Sequence, residues 1–152
     1  MPFRLLLSVV LMAMAAAVLL PALSAYQRTE FEGRVKLAVA ELSSAARAVY
    51  ASPGSSRTVA VDLPPSYGMS LERLSIGAGL DASPGEMAII QWRLSKGVEG
   101  RSAVRTTGGP VPMSGPDGQP LVLMRGRAML VLEARQAPDG APVGLYVLVK
   151  EA

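Results

Sequence analysis

The sequence predicts an α+β protein: a long N-terminal helix, membrane anchor in one half and amphipathic in the other, packed on a small antiparallel β-sheet domain. Three observations predict it. Residues 5–25 (LLLSVVLMAMAAAVLLPALSA) carry no charge. Residues 31–49 repeat apolar side chains at helical spacing. From Gly54 onward, short alternating runs are punctuated by Gly and Pro, the pattern of strands joined by turns. The chain therefore divides into 1–25, an N-terminal transmembrane anchor or signal-like segment, 26–52, an amphipathic helix, and 53–152, an antiparallel β-domain.

A helix over residues 5–25 rises about 30 Å, enough to cross the hydrocarbon core of a bilayer. The same segment also parses as a secretory signal: Arg4, an apolar run, the helix-breaking Pro21, then Ala22-Leu23-Ser24-Ala25. Cleavage near Ser24 or Ala25 would release a secreted, soluble β-domain binding module. The continuation favours a single helix. Phe31, Val35, Ala38, Val39, Leu42, Ala45, Ala46 and Val49 form one apolar stripe. Nothing between Ala25 and Phe31 breaks a helix. Glu30 precedes Arg34 by four residues, and Glu32 precedes Lys36 likewise, the favourable order for surface pairs. Ser52-Pro53-Gly54 ends the pattern. On this reading Pro21 is a kink within one helix, and Ser24 bonds back to the carbonyl of Leu20.

The β-region begins with Thr58–Leu63 (TVAVDL), stopped by Pro64-Pro65, and continues with Leu71–Ile76. Residues 86–95 place Ala88, Ile90, Trp92 and Leu94 on one face and read as a strand. The preceding Ser83-Pro84-Gly85-Glu86 imitates a capping box and leaves a helix there as the alternative. Residues 97–120 are rich in Gly and Pro and read as exposed loops. Strand patterns return at 121–125, Arg127–Arg135 and Val143–Lys150. The connections between them are short, which implies antiparallel neighbours. The helical stripe covers the inward face of the resulting sheet.

Composition narrows the chemistry. The chain has no cysteine and no histidine, so disulfides, zinc sites of the usual kind and Ser–His–Asp or Cys–His nucleophiles are excluded. It has no asparagine and hence no N-glycosylation acceptor. The formal net charge of +3, with the basic residues spread singly, argues neither for nucleic acid nor for an acidic partner. Asp81 with Glu86, or Asp117 with Asp139, are the acids that a fold would have to pair for acid–base work; single acids at turns are the simpler reading. Trp92 is the sole tryptophan, too little for a base-stacking surface. No catalytic, cofactor-binding or metal residue is expected, and no small-molecule substrate is evident. The expectation is a protein that is not an enzyme and needs no cofactor.

Arg4, the apolar helix with Pro21 near its end, the in-phase amphipathic continuation and the Gly/Pro-rich β-region together resemble type IV pilins. Leu20-Pro21-Ala22-Leu23-Ser24-Ala25-Tyr26-Gln27 looks like the segment in which a pilin anchor passes into the exposed helix. Glu41–Tyr50, Pro53–Val59 and Leu63-Pro64-Pro65 look more like small archaeal pilin-like single-pass membrane proteins. The resemblance covers residues 4–65, and the later strands in texture. It implies a cell-surface structural protein with its β-domain outside the membrane, oriented N-in and C-out. Its implied partners are the lipid bilayer through residues 5–25 and pilin-like subunits or their assembly machinery. Two positions depart from the pilin pattern. Arg4 is followed directly by Leu5, without the small residue of a prepilin-peptidase site, and residues 5–25 hold no glutamate. A minor or non-filament pilin-like protein is what this combination implies; a membrane-bound accessory subunit whose β-domain docks on a larger complex is a further alternative to it.

Overall fold

The computed structural model describes residues 2–152, and its architecture is α+β as the sequence predicts. Helix α1 (Pro2–Ala51) runs for 50 residues with Pro21 inside it. Residues 22–30 are helical throughout, so the helix does not stop at the proline. The chain forms two compact units, one ending at Arg34 and the other Val35–Ala152.

The surface pairs of α1 differ in part from expectation. Arg34 and Glu30 meet at 2.6 Å. Glu32 pairs with Arg28, at 2.9 Å, and not with Lys36. Both partners stand four residues from Glu32 on the helix, so spacing alone does not choose between them.

Within the second unit, Val35, Val39, Leu42, Ala45, Ala46 and Val49 are buried, the stripe that the periodicity marks. Ser43 is buried among them, and its hydroxyl donates to the Val39 carbonyl at 2.7 Å. That bond meets the cost of placing a hydroxyl in the core. The rest of the unit is the β-region on which this stripe is laid: strands β1 (Ser56–Asp62), β2 (Leu71–Ile76), β3 (Ile89–Leu94), β4 (Val98–Ala103), β5 (Arg105–Thr106), β6 (Gly109–Pro110), β7 (Met113–Ser114), β8 (Leu121–Leu123), β9 (Arg127–Gln136) and β10 (Leu145–Glu151).

These strands make two four-stranded sheets, β1-β9-β10-β7 and β4-β3-β2-β8, and a two-stranded ribbon, β5-β6. The single antiparallel sheet expected from sequence is thus replaced by two, and β10 runs parallel to β7. Short connections do make β9 and β10 antiparallel neighbours, with Val147 opposite Ala134. The still shorter step from β8 to β9 does not make a hairpin. β8 pairs with β2, β9 pairs with β1, and the chain changes sheets at residues 124–126. There the Leu63 N–H donates to the Gly126 carbonyl at 2.6 Å.

Residues 86–95 combine the two readings of that run. Helix α2 (Pro84–Met87) is one turn long, opened by a capping box between Ser83 and Glu86. β3 follows after Ala88, with Ile90, Trp92 and Leu94 buried. Residues 97–120, expected to be exposed loops, hold four short strands instead. Val104, Val111, Met113 and Ser114 there are buried. β7 is covered because it lines up beside β10, a pairing between segments over thirty residues apart. Gly77 shows how tightly this strip is held: its φ is +73°, and a Cβ there would stand 2.0 Å from the Met113 carbonyl oxygen.

Candidate functional site: the apolar half of the first helix

A helix that is hydrophobic on every side needs an apolar environment all round. The first half of α1 meets that description. Its most apolar window has a mean hydropathy of 2.5 and is 0% buried within the chain. Leu5, Val9, Met12, Val18, Leu19 and Leu23 are each more than half exposed and lie on different sides of the helix. This is a helix long and apolar enough to cross a membrane, and it is compatible with a single-pass anchor.

The polar groups of this stretch are answered locally. Ser8 donates to the Arg4 carbonyl at 2.7 Å, and Thr29 to the Ala25 carbonyl at 3.0 Å. Ser24 donates to the Pro21 carbonyl at 2.9 Å, not to that of Leu20 as the sequence suggested. The bond therefore spans three residues, not four. Pro21 lacks an N–H, so the Ala17 carbonyl has no helical donor. Charge resumes only after residue 25, where Arg28–Glu32 and Glu30–Arg34 form crossed pairs.

The acids singled out by sequence sit at turns. Glu86 is committed to the α2 cap, accepting from the Ser83 backbone N–H at 3.0 Å and from its hydroxyl at 2.8 Å. These two donors, the hydroxyl first, hold its carboxyl below the usual carboxylate range. Asp117 lies in the turn closed by Gly118 N–H on the Gly115 carbonyl, and Asp139 in the turn closed by Ala141 N–H on the Pro138 carbonyl. Asp81 belongs to the turn in which Ala82 N–H reaches the Gly79 carbonyl. No group of three or more acids placed to hold a metal ion occurs among the described residues.

A feature that the sequence reading missed lies on the outer face of the second sheet. Arg73, Ser75, Gln91, Arg93, Glu99 and Arg101 line a groove of about 400 Å³. Register aligns Arg73 opposite Arg93 and Arg93 opposite Glu99. It likewise aligns Ser75 with Gln91 and Gln91 with Arg101. Arg93 pairs with Glu99, while Arg73 and Arg101 make no salt bridge among the described residues. Like charges directly opposite one another destabilise a sheet, so Arg73 beside Arg93 is a cost. On the inner side, the Trp92 ring covers Gly100, where a Cβ would stand 2.3 Å from the indole. The apolar alternation on β3, with Gln91 and Arg93 on the other face, was visible in sequence. Their alignment with Arg73 and Arg101 depends on strand order and was not.

Together these features define a class: an α+β protein with one membrane-length apolar helix and a two-sheet β-unit. The chain belongs to the family described as domain of unknown function (DUF7311), whose profile matches residues 2–149. No curated protein and no solved structure matches it.

Proposed function

We propose that this is a non-enzymatic, pilin-like surface protein, held in a lipid bilayer by residues 5–25 with its β-unit on the external face. The observation that carries the reading is the apolar half of α1, which the rest of the chain leaves uncovered on every side. Lipid satisfies such a helix because its backbone bonds are internal and its side chains face acyl chains. The freed Ala17 carbonyl is tolerable there, since proline in membrane helices is accommodated by neighbours and local adjustment. Ala13, Ala15, Ala16 and Ala17 would let similar helices approach closely, as a minor subunit of an archaeal type IV pilus-like filament requires. N-in and C-out is the orientation that goes with this reading.

Liposome flotation tests it. The full-length chain is expected to float with neutral vesicles, and a Leu11→Asp/Ala15→Asp variant to remain at the bottom. Each acid placed mid-helix costs about 2.5–3.5 kcal/mol on insertion scales. Recovery of the full-length chain as a detergent-free soluble monomer would overturn the proposal. Protease added to intact cells is expected to remove the β-unit; complete protection would reverse the orientation.

A further inference from the structure

We infer that the groove across β2, β3 and β4 is a docking site for an acidic, extended segment of a partner protein. Charge complementarity selects the occupant. Three guanidinium groups face the groove against one carboxylate, Glu99, and that carboxylate is taken by Arg93. Arg73 and Arg101 are exposed and have no anionic partner among the described residues. A guanidinium presents a planar fork of donors that matches a carboxylate in two parallel bonds.

The spacing suits a chain more than a single small anion. Arg73 and Arg101 stand on the outer two of three adjacent strands, β2 and β4, and are displaced by one same-face step along them. Strand geometry puts their Cα atoms about 12 Å apart, from strands ~4.8 Å apart and ~3.4 Å per residue. Acidic residues four apart on an extended peptide span about 13 Å, so two carboxylates reach both arginines. Between the arginines, on β3, lie Arg93, already paired with Glu99, and Gln91, with Ser75 opposite Gln91 on β2. A glutamine amide offers a donor and an acceptor together, the pair that a peptide group needs. An inorganic anion would leave the acceptor unused. A docked carboxylate beside Arg73 would also relieve its opposition to Arg93.

Fluorescence anisotropy of a dye-labelled peptide of alternating Glu and Thr, titrated with full-length protein in uncharged micelles, tests the inference. Saturable binding is expected, at least about tenfold weaker when salt rises from about 0.05 to 0.5 M. The Arg73→Glu/Arg101→Glu variant is expected to lose binding by at least about tenfold, because two charge-assisted contacts become repulsive. Arg73→Lys/Arg101→Lys should recover part of it. Both changes are at exposed positions, and an unchanged melting temperature would confirm that folding is intact. The peptide with Gln in place of Glu should not bind. Absence of saturable binding, or equal binding by the charge-reversed variant, would overturn the assignment. Tighter binding of oligothymidylate than of the acidic peptide would overturn it too, in favour of a nucleic-acid surface.

Discussion

Glu133 on β9 sits between two cations, with Lys150 Nζ at 2.8 Å and an Arg135 guanidinium nitrogen at 3.3 Å. The Lys150 hydrogen bond is the largest influence on it and holds its carboxyl below the usual range, against a smaller opposing effect of burial. A carboxylate whose folded pKa is lowered adds stability above its ordinary value, 4.5, and loses it as pH falls through the folded value. Glu86 behaves in the same sense. Denaturant melts taken at about pH 6 and about pH 3 should show stability falling with acid, and Glu133→Gln should flatten that fall. An unchanged slope in Glu133→Gln would mean that the pairing with Lys150 is not made in solution. Gly77 gives the sharpest backbone expectation. Its positive φ and the nearby Met113 carbonyl leave no room for a methyl group, so Gly77→Ala should cost at least about 2 kcal/mol. A melting temperature equal to wild type would show that β7 is free to shift away.

At the scale of elements, α1 is where local pattern and structure agree most fully. The apolar stripe predicted from spacing is the buried face, because a helix reports its inward side through its own period. Leu42 is 1% exposed. Leu42→Ala should therefore destabilise the full-length protein in micelles by about 2–5 kcal/mol, and Leu42→Asp by more. Wild-type stability of Leu42→Asp would show that α1 does not close this core. Leu71–Ile76 was legible as a strand to the residue, being bounded by turn residues on both sides. What was not legible was partnership. Nothing in LVLMR says that it pairs with β2 while the next strand pairs with β1. Turn residues mark where a chain reverses but not which sheet it enters. The buried strip at 111–115 was hidden for the same reason, since its Gly and Pro content describes a loop and its cover comes from distant β10. The arginine groove fails to show in sequence because it is assembled by register from three strands. Pro21 offers a further test. Amide hydrogen exchange in micelles should show strong protection from Leu23 to Thr29, where the helix is continuous. Uniformly fast exchange there would place the helix end at Pro21.

For the molecule as a whole, the central claim is that the apolar half of α1 stays with the protein as its anchor. The competing outcome is a secreted β-unit cut from a signal segment near Ser24 or Ala25. The helix passes through the candidate cleavage region without a break, and its hydroxyls are bonded back to their own turn. Intact-mass spectrometry of the native protein from whole cells tests this most directly. A chain beginning at or before Leu5 is the predicted result; a mature chain beginning at Ala25 or Tyr26 would contradict it.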